Sequence, residues 1–158
     1  MSNLLSAADQ HLQSEAIASA FFAALNTMEP GTVGKVITDD ARYVMPYAPH
    51  GLPQLFEGKS AFLDFISAIK QGAEKVHPKS PVLYDIRLHA TNRDASVVYA
   101  EWKSKMRLLP SGVLYENAYV GRLTITNDAV SQFIEWQNPV TVIEAFGGSV
   151  TPPVVPGV

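Results

Sequence analysis

Apolar residues recur with helical spacing in two stretches of the first half of the chain. After Ser14, a good N-cap residue, they form one stripe at i, i+4, i+8 and i+11: Ile17, Phe21, Leu25 and Met28. Pro30 interrupts this pattern and is expected to begin a short second helix that reaches Val36. Ser60 can cap another helix, which Gly72 ends and whose apolar residues fall at i, i+3, i+4 and i+7: Phe62, Phe65, Ile66 and Ile69.

Other segments have the apolar and β-branched patterns of strands. A first short strand is expected over residues 41–47, which include side chains that favour extended backbone. Alternation with a period of two predicts four more strands: residues 82–88, 96–109, 113–126 and 129–137. The Asn-Asp pair at 127–128 predicts a two-residue hairpin turn between the last two of these strands. A final short helix is expected over residues 139–146.

The order of these elements predicts an α+β fold. The helices come first and a meander of long antiparallel strands follows, so the helices should pack on one face of a strongly curved antiparallel sheet. Sheet and helices then enclose either a packed core or a pocket. Residues 1–146 are expected to form one domain, and residues 147–158 a Pro- and Val-rich tail too short for a core of its own.

Composition narrows the possible functions. The chain has 158 residues, enough for a single core. Its 12 Lys and Arg against 15 Asp and Glu give a net charge of −3 with no basic run, which argues against nucleic acid and against an anionic membrane as partners. The absence of cysteine removes disulfides, thiol nucleophiles and iron–sulfur clusters. Neither a signal-peptide pattern nor a membrane-spanning stretch is present, so we expect a small, soluble, cytoplasmic domain.

The segment from Tyr115 to Pro139 resembles the paired C-terminal strands of the SnoaL-like, or nuclear-transport-factor-2-like, superfamily. The nearest pattern is that of the phenazine-biosynthesis A/B group, with a Tyr-x-Asn opening, an Asn-containing turn and a Glu-aromatic-x-Asn-Pro ending. The matching positions are Tyr115, Asn117, Asn127, Glu135, Trp136, Asn138 and Pro139. Gly58-Lys59 before an amphipathic helix also resembles that group, and the order of elements agrees across residues 14–146.

This resemblance implies a cone-shaped roll with a deep apolar pocket, helices on the concave face of the sheet, and a homodimer packed through the sheets. It also implies cofactor-free chemistry: double-bond isomerisation, cyclisation, epoxide opening or semipinacol-type rearrangement of a natural-product intermediate. Phe65 and Ile69 stand where the phenazine group has a His and a Ser, which argues against phenazine condensation. Because the superfamily hosts several functions, a binding module without catalysis and an interaction module with a filled pocket remain alternatives.

Glu135 is the predicted proton-transfer residue. It lies in an apolar strand and matches the pocket acid of the superfamily, and a carboxyl in an apolar pocket has a raised pKa. The alternative is a solvent-facing glutamate at an edge of the sheet. Arg42 is the second catalytic candidate, because a guanidinium inside the roll could stabilise an oxyanion. Otherwise it forms a surface ion pair with Asp39 or Asp40.

Three polar residues share one strand face and could orient a substrate or donate to an enolate, or else simply pack: Tyr115, Asn117 and Tyr119. A regular hairpin through residues 127–128 would pair Tyr119 with Trp136 and point it away from Glu135. Both can reach one cavity only if a β-bulge shifts the register, and Gly121 is the expected place for it.

The mouth of the pocket is expected at the loop over residues 46–53. His50 lies in this loop, near Tyr43, and could shuttle a proton, or it is simply exposed. Phe65 is expected in the pocket wall. The histidines have no metal-ligand spacing, so no metal is expected, and the resemblance implies no cofactor. Because the expected wall is aromatic and aliphatic, the pocket should bind an uncharged, ring-rich, apolar molecule.

Overall fold

The computed structural model describes residues 6–91, 93–109 and 111–151. The helices within these ranges are α1 (Ala7–Thr27), α2 (Pro30–Val33), α3 (Lys59–Gly72) and α4 (Pro139–Ala145). The strands are β1 (Ile37–Val44), β2 (Leu55–Glu57), β3 (Ala73–Glu74), β4 (Leu83–Ala90), β5 (Val97–Leu108), β6 (Leu114–Thr126) and β7 (Ala129–Gln137). The predicted Pro- and Val-rich tail lies mostly outside the described residues.

The strands form one curved sheet in the order β2-β1-β7-β6-β5-β3, with β4 also paired to β5. The meander from β4 to β7 is antiparallel, as predicted. The sheet as a whole is mixed, however, because β1 runs parallel to β7. The residue types of β1 favour a strand but carry no information about its distant partner. The α+β class and the cone-shaped roll are confirmed with this one correction.

The first helix begins earlier than its apolar stripe predicts. Ser6 is the N-cap: its hydroxyl accepts from the Asp9 amide at 3.1 Å, and the Asp9 carboxylate accepts from the Ser6 amide at 3.3 Å. This reciprocal capping box stabilises a polar first turn that the apolar pattern does not mark. Ser14 is instead buried within α1, where its hydroxyl donates to the carbonyl oxygen of Ala95.

Other boundaries also differ from the sequence-based expectation. Helix α2 ends at Val33 rather than Val36, and the N-cap of α3 is Gly58 rather than Ser60. Strand β1 begins at Ile37 and therefore includes two acidic residues, Asp39 and Asp40, that the sequence pattern placed before it. The pairing of β1 with β7 is irregular between Ile37 and Arg42, so these two acidic residues lie in a stretch of the strand where the register shifts.

The turn between β6 and β7 forms at the predicted dipeptide. Asn127 and Asp128 have φ values of 52° and 60°, which a two-residue hairpin turn needs at both central positions. Asn and Asp tolerate this left-handed conformation better than other non-glycine residues. Thr126 and Ala129 pair directly across the turn.

The helices pack on the concave face of the sheet through aromatic rings. In α1, Phe21 lies 5.0 Å from Phe133 of β7, and Phe22 lies 5.0 Å from Trp102 of β5, between ring centroids. Phe62 brings α3 into the same cluster, 6.3 Å from Phe21. None of the helices in the described ranges combines the length and the apolar character that a membrane crossing requires.

Candidate active site

A cavity of about 1090 Å³ occupies one end of the roll. Antiparallel pairing brings three strand segments together there: the C-terminal half of β5, the N-terminal half of β6 and the C-terminal end of β7. The opposite ends of these strands carry fully buried aliphatic residues, Val98, Leu123 and Val130. That end is packed core, so the roll is filled at one end and open at the other.

The cavity wall is largely apolar and carries no basic group among the described residues. Helices α1 and α3 supply one side, with side chains that include Leu25, Phe62, Phe65 and Ile69. The ionisable carboxyls of the lining are those of Asp64, Glu135 and Glu144, of which only Glu135 is buried. An anionic ligand would therefore meet carboxylates without a compensating cation.

Glu135 is the buried carboxyl of the cavity, with 9% of its surface exposed. Burial in this apolar wall raises its pKa to about 7, because the carboxylate loses its hydration. The Tyr43 hydroxyl acts in the opposite direction, since hydrogen bonding to the carboxylate favours the ionised form. At neutral pH both protonation states of Glu135 are populated, as an acid–base group requires.

A β-bulge turns Glu135 inward. Thr124 pairs with Gln132 but Ile125 pairs with Val130, so Ser131 is an extra residue in β7. Beyond the bulge Glu135 pairs with Gly121 rather than with Val120, and so lies on the same face as Tyr119. The predicted bulge is confirmed, but its predicted place is wrong. The Ser131 hydroxyl donates to the Thr124 carbonyl oxygen at 3.2 Å and stabilises the irregular backbone.

Gly121 has a different role from the one predicted. A Cβ atom there would lie 2.6 Å from the Trp102 ring and 3.0 Å from the Ile134 carbonyl oxygen. The indole of Trp102 covers the glycine and stacks on Tyr119 with ring centroids 5.2 Å apart and an interplanar angle of 1°. Gly121 is therefore required for the close approach of Trp102.

Hydroxyl groups line the wall beside Glu135. The Ser104 hydroxyl lies 2.8 Å from that of Tyr119, which lies 3.0 Å from that of Tyr115. We call these three groups the hydroxyl row. Asn117 anchors one end, because its amide nitrogen donates to the Tyr115 hydroxyl at 2.9 Å and to the Asn138 carbonyl oxygen at 3.2 Å. All three hydroxyl-bearing residues line the cavity.

The hydroxyl row has one proton to spare. Its three hydroxyl groups carry three protons, and its two internal contacts use one each. Asn117 only donates to the row, so it takes up none of these protons. One hydroxyl proton therefore remains for a ligand in the cavity. Burial and the nearby Glu135 charge raise the pKa of Tyr115 and Tyr119, so both stay protonated donors at neutral pH.

Arg42 does not reach the cavity. Alternation along β1 points Tyr43 inward and Arg42 outward, where the Arg42 Nε lies 3.4 Å from the Glu57 carboxylate and 47% of the side chain is exposed. The predicted role in stabilising an oxyanion inside the roll is therefore wrong. The alternative, a surface ion pair, is confirmed, but its partner is Glu57, because Asp39 pairs with Lys59 instead.

His50 is exposed in its loop and is not part of the cavity wall, so its predicted contact with a substrate is wrong. Tyr43 and Phe65 do line the cavity, with ring centroids 5.3 Å apart. Asn117 contributes through Tyr115 rather than by lining the cavity itself. Within the described part of the chain, no group of three His, Asp or Glu side chains could hold a metal ion.

The sequence pattern does not mark Ser104 and Gln137 as site residues. The available signal for Ser104 is its position two residues after Trp102, which puts both on the inner face of β5. Gln137 stands two residues after Glu135, so it shares its face by simple alternation. Both residues line the cavity.

The chain is similar to known proteins in sequence and in fold. No family model matches it. YesE of Bacillus subtilis, an uncharacterised protein, is 30% identical over 114 residues, which cover 70% of this chain and 71% of YesE. Among solved structures, a Bacillus subtilis protein provisionally named an isomerase superposes with a TM-score of 0.77 at 21% identity, over 90% of this chain and 99% of its own. A phenazine biosynthesis-related protein from Pseudomonas aeruginosa gives 0.77 at 15% identity, over 96% of both chains.

The chain belongs to the family of YesE. Its fold is that of the solved structures, which include a protein described as NTF2-like from Burkholderia xenovorans. At 21% and 15% identity the solved structures show the fold. The same fold is found in proteins provisionally named polyketide cyclases, so it is an isomerase- or cyclase-like fold.

Proposed function

We propose that this protein is a cofactor-independent isomerase or cyclase that acts on an apolar, polycyclic natural-product intermediate. One observation carries the proposal: a buried carboxyl with a pKa of about 7 stands beside the hydroxyl row in a large apolar cavity. A perturbed carboxyl and convergent donors in a cleft are typical of acid–base sites.

The geometry supports proton transfer next to a carbonyl group. The Glu135 carboxylate takes a proton from the carbon beside the carbonyl, and the electrons of that C–H bond move to the carbonyl oxygen. The spare proton of the hydroxyl row hydrogen-bonds the resulting enolate oxygen, as in an oxyanion hole. Glu135 then returns its proton to a different carbon, or the enolate carbon attacks an electrophile within the same molecule. The first outcome is an isomerisation and the second a cyclisation.

The substrate is an uncharged, ring-rich molecule. The cavity surface is mainly aliphatic and aromatic, and its ionisable groups are carboxyls, which disfavour an anion. Apolar burial would provide most of the binding free energy and is little affected by salt screening.

Hydrogen–deuterium exchange into 2-tetralone tests the proposal without knowledge of the natural substrate. This bicyclic ketone has an acidic C1–H bond beside its carbonyl, and NMR in D₂O follows the loss of that proton. We expect the protein to accelerate exchange with saturation kinetics. Glu135→Gln should lower the rate of catalysed exchange by roughly 10²–10⁴-fold, because a carboxamide does not act as an acid or a base at neutral pH.

Matched variants separate catalysis from damage to the fold. Glu101→Gln alters an exposed glutamate of β5 and should retain full exchange. Tyr119→Phe removes the middle oxygen of the hydroxyl row and should slow exchange, whereas Tyr99→Phe on the outer face of β5 should not. If the ketone binds but exchange is no faster than in buffer, the catalytic proposal is wrong. The alternative, a non-catalytic small-molecule-binding module of the same fold, then applies.

We also propose that the protein forms a homodimer through the outer face of the sheet. Trp102 lies inside the roll and does not contribute to that face. The outer face nevertheless carries exposed apolar side chains on adjacent strands, with Tyr99 40% and Val120 47% exposed. Apolar patches of this kind on a sheet usually mark an interface.

A further inference from the structure

Gln137 is a polar residue of the cavity that the proton-transfer steps do not use. It follows Glu135 by two residues on β7, so both side chains lie on the concave face. Across the sheet it pairs with Tyr119, the middle member of the hydroxyl row. Its side chain therefore lies on the same wall of the cavity as the reacting groups.

The carboxamide of Gln137 has no internal hydrogen bond. Among residues 6–91, 93–109 and 111–151, no side chain or backbone group donates to it or accepts from it. The other amides near this end of the sheet are satisfied: Asn117 bonds Tyr115 and the Asn138 carbonyl, and the Asn138 side chain caps α4 by accepting from the Val140 amide at 3.1 Å. The only buried polar side-chain atom without a partner among the described residues is Arg122 Nε, so the amide atoms of Gln137 are accessible and free to hydrogen-bond a molecule bound in the cavity.

The backbone of Gln137 is well supported. It is the last residue of β7, held by its pairing with Tyr119 on one side and followed directly by the Asn138 cap of α4. A side chain on such a rigid element has a defined position with respect to the cavity. Along a strand, the Cα atoms of residues two apart are separated by roughly 7 Å, and this spacing sets how far Gln137 lies from Glu135 along the wall.

We propose that Gln137 is a specificity-determining residue whose carboxamide binds a second hydrogen-bonding substituent of the ligand, roughly 7 Å from the position at which Glu135 exchanges its proton. This inference rests on the proposed use of the same cavity. It assigns the substrate class more narrowly: a fused-ring ketone with a hydroxyl or second carbonyl across the ring system from the reacting carbon. The amide nitrogen can donate to a hydroxyl oxygen or to a carbonyl oxygen, and the amide oxygen can accept from a hydroxyl.

Two probe ketones test this assignment: 2-tetralone and 6-hydroxy-2-tetralone, whose hydroxyl lies across the rings from the reactive C1. Calorimetry gives Kd for both ketones with the wild-type protein, Gln137→Met and Gln71→Met. Gln71 is an exposed glutamine of α3 outside the cavity wall and serves as the matched control. We expect the wild-type protein and the Gln71 variant to prefer the hydroxylated ketone, and Gln137→Met to lose roughly three- to tenfold of that preference.

The ratio of the two dissociation constants distinguishes recognition from a structural role, because a distorted cavity weakens binding of both ketones alike. An equal preference in the wild-type protein and Gln137→Met overturns the inference, and so does a wild-type protein without a preference. Failure of the proposed function has a different signature, since both ketones would then bind with the predicted preference while neither exchanged its C1 proton faster than in buffer.

Discussion

The pH dependence of folding should report the burial of Glu135 directly. Its pKa is about 7 in the folded protein against an ordinary value of 4.5, because the cavity wall removes water from the carboxylate. Between these two values the unfolded chain has lost the proton while the folded protein keeps it. The unfolded state then binds fewer protons, so the free energy of unfolding falls as the pH rises. The contribution is absent below about pH 4.5 and complete above about pH 7.

The structure sets the size of this effect. The two pKa values differ by about 2.5, and each pKa unit is worth 1.36 kcal/mol, so the ionised Glu135 costs the folded state roughly 3 kcal/mol. For a chain of this length, that corresponds to a Tm difference of roughly 6–12 °C. An effect of this size on the free energy of unfolding exceeds what an ordinary surface substitution produces.

Glu135→Gln removes the ionisation and leaves a side chain of similar size. Urea unfolding from pH 4.5 to pH 8.5 should show the variant gaining roughly 3 kcal/mol relative to the wild-type protein as the pH rises. The four histidines are present in both proteins, so their titration cancels in the difference. Glu101→Gln, which changes an exposed glutamate outside the cavity wall, is the matched control for the loss of one carboxyl group.

A second variant tests the cause of the shift. Tyr43 favours the ionised form of Glu135, so Tyr43→Phe should raise the pKa further and move the inflection of the stability curve to higher pH. A flat difference between Glu135→Gln and the wild-type protein would refute the reasoning. The carboxyl would then be hydrated in solution, and the proposed acid–base chemistry would lose its main support.

Three further predictions concern packing and assembly. Gly121→Ala should destabilise the protein by about 1–3 kcal/mol in urea unfolding, because its Cβ would overlap the Trp102 ring; an unchanged stability would mean that the indole does not cover this position. Arg42→Ala should leave 2-tetralone exchange unchanged, since the side chain pairs with Glu57 outside the cavity, and a large loss would contradict that placement. Sedimentation of the wild-type protein should give about twice the 17.2 kDa chain mass, and Val120→Lys on the outer face should shift it toward the monomer; a wild-type monomer at micromolar concentration would exclude the dimer.

Much of the fold follows from local patterns. The period of apolar residues predicts the helices and the long strands because each element must bury one side, and the Asn127-Asp128 turn follows from the backbone preferences of two residues. Glu135 could be singled out because a carboxyl group is unusual in an apolar strand, and because the residues around it resemble the Glu-aromatic-x-Asn-Pro pattern. Helix starts were less predictable, since the polar capping box of Ser6 and Asp9 has no apolar period.

The tertiary structure alone decided which side chains meet. Alternation tells which residues of one strand share a face. Which residues of the next strand lie on that same face depends on the register between the strands. A single extra residue in one strand turns all the following side chains to the opposite face of the sheet. Ser131 is that residue in β7, so Glu135 joins Tyr119 inside the roll. Arg42 points outward because its neighbour Tyr43 points inward, a choice that depends on how β1 is packed against α3 and β7.

The sequence by itself determined the kinds of element, their order and the presence of an acid, hydroxyls and large apolar side chains in the last strands, because these depend on residues close together in the chain. The cavity, the hydroxyl row, the pKa of Glu135 and the unpartnered amide of Gln137 were decided only by the tertiary structure. Each depends on distances between segments far apart in the chain, and on water being excluded by side chains from several elements at once.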